Sequence, residues 1–310
     1  MSTPPKKTPG RPKFSAPRPK ATSFGAQEVP RPAGSPLGGL GDWPPRGGLA
    51  RSDRLGGPQK VFITGASSGI GLALAAEYAR RGAILGLVAR RGDALASFQQ
   101  SHPQHPISIY PADVRDAEAL AHAAEQFIAQ YGCPDVVIAN AGISRGALTG
   151  HGDLRTFREV MDVNYYGMVA TFEPFAAAMM AARTGTLVGV ASVAGVRGLP
   201  GSGAYSASKA AAFKYLEALR VEMRPQGVNV ITIAPGYIRT PMTAHNPYPM
   251  PFLMDADRFA VKVADAIARN KSLAIYPWQM RIAAMLLHVL PRWIYDRVFE
   301  RAPRKPRAAE

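Results

Sequence analysis

The stretch that decides the fold lies at residues 60–71, which read KVFITGASSGIG. A short apolar segment leads into a glycine-rich turn, and the turn opens into a helix-forming sequence. Glycines here permit a tight turn and let the backbone approach a pyrophosphate, whose negative charge meets the helix N-terminus. The order strand, turn, helix predicts a dinucleotide site, and the alternative is a glycine-rich turn without a ligand. The predicted contacts are Gly65, Ser67, Ser68, Gly69, Ile70 and Gly71.

Short apolar segments alternate with helix-forming segments through the middle of the chain. The predicted strands are Val61–Thr64, Ile84–Ala89, Ile107–Tyr110, Val136–Ala139, Thr186–Ala191, Val228–Ala234 and Leu273–Tyr276, and the predicted helices cover 70–81, 117–131, 156–182 and 204–223. Strands that alternate with helices form parallel sheets through crossover connections. The sequence therefore predicts one α/β catalytic domain over 59–278, with a Rossmann-type doubly wound fold, a seven-stranded parallel sheet and helices on both faces.

The positive charge of the chain is concentrated at its two ends. The formal net charge is +15, of which residues 1–60 contribute +8, residues 279–310 contribute +4 and the middle +3. Residues 1–58 hold 12 Pro and 10 Gly, a composition that buries too little apolar area to offset ordering. We expect a disordered basic tail there, without the apolar region of a signal peptide. A nucleic-acid-binding arm is the alternative, but the aromatic–basic mixture typical of one is missing, so no nucleic acid is expected.

Residues 279–310 are predicted to form an apolar and basic helical extension. The apolar run Ile282–Leu287 is followed by Pro291, so it is too short to span a bilayer, which takes about 20 apolar residues. With Trp278, Trp293 and the flanking arginines, residues 279–299 would suit peripheral contact with a membrane interface. Packing on the domain or on a partner subunit is the equal alternative.

The cysteine and histidine content of the chain limits the disulfide bonds and metal sites that it can form. The single cysteine, Cys133, excludes an internal disulfide and fits a reducing compartment. The six histidines are scattered, so no metal site is predicted. We expect a cytoplasmic protein, with peripheral membrane association left open by the extension.

A tyrosine and a lysine four residues apart form the candidate catalytic pair. Tyr205 and Lys209 share one face of a predicted helix, and Ser192 lies thirteen residues upstream at the end of a predicted strand. A free tyrosine, with a pKa of roughly 10, is a poor base at neutral pH, and a nearby ammonium lowers that pKa. A serine hydroxyl can stabilise charge on a carbonyl oxygen. An exposed Tyr/Lys pair on an amphipathic helix is the alternative.

These motifs resemble the short-chain dehydrogenase/reductase family, in the branch that acts on alcohols and ketones. TGASSGIG, Ser192 and the Tyr205/Lys209 spacing carry the resemblance, which continues over roughly 60–278. It implies that Asn164 is a fourth catalytic residue, holding a water that links the lysine to solvent. It further implies cofactor contacts for Tyr205 and Lys209, and for Asp113, Val114, Asn140, Ala141, Gly142, Pro235, Gly236, Ile238 and Thr240.

The end of the second predicted strand indicates which cofactor is used. An NAD enzyme is expected to place an acid there to bind the ribose hydroxyls. This chain has Ala89 followed by Arg90, whose planar cation suits a 2′-phosphate. NADP(H) is therefore favoured over NAD, and a solvated arginine is the alternative.

Together these observations predict an NADP(H)-dependent oxidoreductase that interconverts a small hydrophobic ketone or aldehyde and an alcohol. Residues Arg239–Phe259 are expected to close over the substrate as a lid. The apolar helices 156–182 and 204–223 resemble those that pair subunits in the family, which implies a homodimer or homotetramer. A catalytically silent cofactor-binding sensor is the second hypothesis, and a nucleic-acid-binding protein is the third.

Overall fold

The computed structural model describes residues 57–244, 246–302 and 304–307, so residues 1–56 of the expected tail lie outside the described part. The strands are β1 Lys60–Thr64, β2 Ile84–Ala89, β3 Ile107–Pro111, β4 Val136–Ala139, β5 Thr186–Val190, β6 Asn229–Pro235, β7 Ile238–Arg239, β8 Met254–Asp255 and β9 Leu273–Tyr276. Seven of these form a parallel sheet in the order β3-β2-β1-β4-β5-β6-β9, and β7 pairs with β8. The seven predicted strands are confirmed to within one residue at each end.

Helices cover both faces of the sheet. They are α1 Gly69–Arg80, α2 Gly92–Gln100, α3 Ala117–Tyr131, α4 Leu154–Met161, α5 Gly167–Ala182, α6 Gly203–Met223, α7 Ala256–Ala268, α8 Trp278–Val289 and α9 Arg292–Phe299. Parallel strands buried on both faces explain the continuous apolar runs of the sequence. Within β1, Val61 and Ile63 face the core under α1 and α7, and Phe62 faces the core under α3, α5 and α6. The predicted doubly wound fold is confirmed.

The long helix predicted over 156–182 is two helices. Residues Asp162–Tyr166 form a π-helical turn between α4 and α5, in which the Gly167 amide bonds to the carbonyl oxygen of Asp162. Such a turn contains one extra residue and frequently marks a functional site. The expected subunit pairing through this region and α6 stays a prediction.

Two helices were missed by the sequence analysis, and one of them shortens the expected lid. Helix α2 buries only Leu95 and Phe98, so it carries little apolar periodicity. Helix α7 begins at Ala256, inside the segment expected to be a lid. Phe259 is fully buried in the core beneath it and faces no substrate.

The C-terminal extension is helical and is attached to the domain by polar contacts. Arg197 Nη1 donates to the carbonyl oxygens of Leu287 at 2.9 Å and Leu290 at 2.7 Å. The Arg197 guanidinium also lies 4.3 Å from the ring centroid of Tyr295, whose hydroxyl donates to the Gly198 carbonyl oxygen. Among the described residues, no helix has the length and apolar content needed to cross a bilayer.

Residues after α9 return to the loop that follows β4. Lys305 Nζ donates to Ser144 Oγ at 2.8 Å. Arg307 binds Asp153 through Nη2 at 2.7 Å and Nε at 2.9 Å, and holds the pKa of this carboxyl at about 2. The extension is therefore anchored beside the loops that follow β4 and β5.

Close packing over β2 gives a test of the fold. A methyl group at Gly86 would lie 2.5 Å from the Phe62 ring and 2.6 Å from the Phe127 ring. Gly86→Ala is expected to lower the free energy of unfolding by about 1–3 kcal/mol, because the core must shift to accept it. Gly198→Ala is the control, since a methyl there meets no heavy atom within 4 Å. Chemical denaturation measures both variants, and equal effects would contradict this packing.

Candidate functional site

The site lies where the order of the strands reverses, between β1 and β4. In open α/β sheets, ligands bind beyond the carboxyl ends of the strands at this point. Asn140, which follows β4, donates through Nδ2 to the carbonyl oxygens of Thr64 at 3.1 Å and Gly65 at 3.3 Å. This amide fixes the two loops that diverge here and so keeps the crevice open.

The glycine-rich turn has the conformation and the free donors that an anion requires. Gly65 has φ 72°, and a methyl group there would lie 2.7 Å from the Cα of Ala141. The side chain of Ser68, at the N-cap of α1, caps no backbone amide, and the first turn of α1 contains no acidic residue. The first amides of α1 are therefore available to a phosphate group.

A cavity of about 330 Å³ extends from this turn to the candidate catalytic pair, Tyr205 and Lys209. It brings together nearly all of the predicted residues, namely Gly65, Ser67, Ser68, Gly69, Ile70, Arg90, Asp113, Val114, Asn140, Ala141, Gly142, Ser192, Tyr205, Lys209, Pro235, Gly236, Ile238 and Thr240. Gly71 is not among the lining residues. A methyl group at Gly71 would lie 2.2 Å from the Gly65 carbonyl oxygen, so this glycine allows α1 to pack against the turn.

Two arginines follow β2, and they have different neighbours. Arg90 Nη1 lies 3.9 Å from Asp113 Oδ2. Arg91 crosses to the glycine-rich turn, where Nη2 donates to the carbonyl oxygen and the Oγ of Ser67, both at 3.2 Å. The sequence analysis singled out Arg90 and missed Arg91. Arg91 differs from Arg90 only in the folded chain, where the loop after β2 approaches the glycine-rich turn.

Asp113 is held by a neighbouring arginine. Arg115 Nη2 lies 2.6 Å from its Oδ2, and hydrogen bonds from Arg115 hold the pKa of Asp113 below its usual range. Its carboxylate therefore stays ionised and in place at the edge of the cavity.

Tyr205 and Lys209 lie together in α6, with Ser192 at the end of β5. Burial raises the pKa of Tyr205, and a side-chain hydrogen bond with Ser192 opposes that rise. The Lys209 ammonium lies 5.9 Å from the Tyr205 ring centroid and donates to the Val190 carbonyl oxygen at 2.7 Å. The lowering of the tyrosine pKa that we expected from Lys209 is not found, since burial decides the direction of the shift and Ser192 is the group that opposes it.

Lys209 is almost fully buried, and no carboxylate in the described residues forms an ion pair with it. Burial lowers the pKa of Lys209 to about 8, because desolvation disfavours the ammonium. Its charge therefore titrates just above neutral pH.

Asn164 lies behind the cavity and is fully buried in the π-helical turn. Its Oδ1 accepts from the Ile143 amide at 2.8 Å, and its Nδ2 donates to the Ile143 carbonyl oxygen at 2.9 Å. Nδ2 also donates to Ser208 Oγ at 2.9 Å. The side chain thus joins the loop after β4 to α6.

Two tyrosines that the sequence did not single out, one before the expected lid and one within it, lie close to each other. Tyr237 and Tyr248 have ring centroids 6.5 Å apart. Burial raises the pKa of Tyr248, and the nearby Tyr237 and Tyr205 raise it further. Met242 and Ile143 line the same cavity as Ser192, Tyr205 and Lys209. Apolar side chains of these two residues and the Tyr248 ring thus lie in the part of the site around Tyr205.

Comparisons with known proteins agree with this geometry. A family model described as short chain dehydrogenase matches residues 59–249. An uncharacterized oxidoreductase of Myxococcus xanthus (strain DK1622) is 35% identical over 238 residues, which are 76% of this chain and 94% of that protein. An 11-beta-hydroxysteroid dehydrogenase-like protein of Arabidopsis thaliana is 32% identical over 252 residues, covering 77% and 81%. The chain belongs to the short-chain dehydrogenase/reductase family of oxidoreductases.

Solved structures extend the comparison to cofactors. An alcohol dehydrogenase of the archaeon Thermococcus sibiricus, complexed with 5-hydroxy-NADP, has a TM-score of 0.64 at 26% identity, covering 71% of this chain and 95% of that one. A short chain dehydrogenase/reductase of Burkholderia phymatum, in complex with NAD, has a TM-score of 0.69 at 23% identity, covering 81% and 98%. The family uses nicotinamide cofactors.

The buried lysine gives a pH-dependent test of the site. As pH rises through about 8, Lys209 loses the charge that favours an anionic cofactor. The dissociation constant for NADPH should therefore increase between about pH 7 and about pH 9 in the wild type. The Lys209→Met variant should bind NADPH about tenfold more weakly than the wild type at pH 7, and its dissociation constant should change little with pH. Fluorescence titration measures both proteins, and identical pH profiles would remove Lys209 from cofactor binding.

Proposed function

We propose that this chain is an NADP(H)-dependent oxidoreductase that interconverts a hydrophobic ketone or aldehyde and the corresponding alcohol. The observation that carries the proposal is the convergence of Ser192, Tyr205 and Lys209 on the cavity that the glycine-rich turn opens. Membership of the family supports the class of reaction. The residues that line the cavity support the narrower assignment, which is NADP(H) as the cofactor and a hydrophobic carbonyl compound as the substrate.

The residues present fit a phosphorylated dinucleotide. The uncapped first turn of α1 suits the pyrophosphate, and Arg90 and Arg91 offer cations where an NAD enzyme is expected to place an acid. Arg91 already contacts Ser67, so the two loops meet around one position. A guanidinium pair there suits the 2′-phosphate of NADP(H).

The catalytic steps follow from the protonation states of the side chains. When bound, the nicotinamide supplies or accepts the hydride. In carbonyl reduction, the Tyr205 hydroxyl donates its proton to the carbonyl oxygen, and Ser192 donates a hydrogen bond to the same atom. Because burial raises the pKa of Tyr205, this group is protonated at neutral pH and ready to act as an acid. The nearby Lys209 ammonium stabilises the phenolate that remains.

The apolar substrate end supports a hydrophobic carbonyl compound. Met242 and Ile143 contribute apolar surface to the cavity that Tyr205 lines, and Tyr248, whose ring lies near that of Tyr237, is close to Tyr205. A polar substrate would leave its own groups without partners in such a cleft, which costs free energy.

Cofactor choice can be measured directly. NADPH is expected to bind at least about tenfold more tightly than NADH, which corresponds to about 1.4 kcal/mol. Arg90→Ala and Arg91→Ala should each weaken NADPH binding and leave NADH binding nearly unchanged, since only NADPH carries the 2′-phosphate. Arg158→Ala is the control, because its side chain is 86% exposed and does not line the cavity. A preference for NADH in the wild type would contradict the assignment.

The general acid can be tested by removing one hydroxyl group. Tyr205→Phe is expected to reduce turnover by about 10²-fold or more, while NADPH affinity changes little. Tyr215→Phe is the matched control, since Tyr215 packs near Phe172 away from the cavity. NADPH absorbance reports turnover across a panel of hydrophobic carbonyl compounds. Full activity in Tyr205→Phe would overturn the mechanism, and an inactive wild type that binds NADPH would favour a silent sensor.

A further inference from the structure

The outer side of α8 and α9 is an apolar surface. Seven of the fourteen large apolar side chains that the described residues expose lie on these two helices, with exposures between 49% and 75%. We call them the C-terminal apolar face: Trp278, Ile282, Met285, Leu286, Val289, Trp293 and Val298. On α8, Trp278, Ile282 and Leu286 are four residues apart, and Met285 and Val289 lie three and seven residues after Ile282, so the five side chains form one stripe. This stripe is distinct from the cofactor cleft.

The opposite side of the same helices is already packed on the domain. Met280 and Ala284 are buried, and the methionine contacts Gly236. Arg197 binds the carbonyl oxygens at the end of α8. The C-terminal apolar face is thus presented outward by helices that are fixed from behind.

Basic residues accompany the apolar face. From residue 278 to residue 310 the chain has seven Lys and Arg residues against three Asp and Glu residues, a net charge of +4. Five of the arginines are exposed and form no ion pair with a described residue: Arg281, Arg292, Arg297, Arg301 and Arg304. An anionic surface would satisfy this charge while covering the apolar stripe.

A second copy of the chain fits this surface less well than an anionic lipid surface does. In a symmetric dimer the same patch meets itself, so the positive charges of one subunit would face those of the other. The basic residues 1–60, with a net charge of +8, are poor partners for the same reason. Neither argument opposes an anionic lipid, and exposed tryptophans beside arginines are typical of side chains at a membrane interface.

We propose that the C-terminal apolar face binds the surface of an anionic lipid bilayer, with α8 and α9 lying in the plane of the interface. The helices are too short to cross the bilayer, since α8 has 12 residues and α9 has 8. The apolar side chains enter the boundary between headgroups and acyl chains, and the arginines bind lipid phosphates and carboxylates. This proposal does not rest on the reaction proposed for the cleft.

Vesicle co-sedimentation of the full chain tests this proposal. The wild type should bind vesicles of phosphatidylcholine with phosphatidylserine, bind those of phosphatidylcholine alone more weakly, and lose binding at high salt. The double variant Leu286→Glu, Val289→Glu should bind the anionic vesicles about 10²-fold more weakly, because it places two charges in the stripe. Leu154→Glu is the control, since Leu154 is 82% exposed on α4.

Circular dichroism and NADPH binding of the variants separate loss of attachment from loss of folding. Wild-type binding to anionic vesicles, lost in the folded double variant and retained in Leu154→Glu, supports the proposal. A wild type that ignores anionic vesicles overturns it. So does equal vesicle binding by the folded double variant. Light scattering measures the oligomeric state of both proteins. If the wild type is an oligomer that binds no vesicles and the double variant is a monomer, the face is an interface between two copies of the chain.

Discussion

The hydrogen bonds of the Asn164 carboxamide are the interaction on which the arrangement of the cleft depends. It is fully buried, and it forms hydrogen bonds with three polar groups of two other segments. Two of these belong to Ile143, in the loop after β4, and the third is Ser208 in α6, the helix that carries Tyr205 and Lys209. Because a buried polar group without a partner is costly, these contacts fix the distance between the loop and the helix. Ile143 and Tyr205 both line the cavity, so Asn164 supports two of its walls from behind.

Much of this arrangement could be predicted from the sequence because the relevant signals are local. Strands buried on both faces appear as continuous apolar runs, so the sheet was assigned almost to the residue. Tyr205 and Lys209 are brought together by helical spacing alone. Ser192 was placed because the carboxyl ends of parallel strands share one edge. Each inference needed only the geometry of a single element or the rule that governs the sheet.

The parts that were missed depend on contacts between distant segments or on weak periodicity. Arg91 reaches Ser67 across 24 positions, and the sequence gives no means of choosing between it and Arg90. The extra residue in the π-helical turn leaves the apolar pattern of α4 and α5 nearly unbroken. Helix α7 is a different case: the spacing of Phe259, Val263 and Ile267 carries a helical signal. The segment before α7 is rich in proline and aromatic residues, and the expected lid, which was based on that composition, was extended past the start of the helix at Ala256.

The C-terminal extension connects the cleft with the outer surface of the protein. Its inner contacts are specific and polar: Arg197 binds two carbonyl oxygens, and Lys305 and Arg307 bind the loop after β4. That loop also carries Ile143, which lines the cavity and is held by Asn164. A displacement of the extension would therefore reach the cleft through a chain of hydrogen bonds and close contacts. The outer side has no such specific partners within the described residues and is apolar. The residues after α9 thus hold the loop that carries Ile143, while the outer side of α8 and α9 is free to bind a surface.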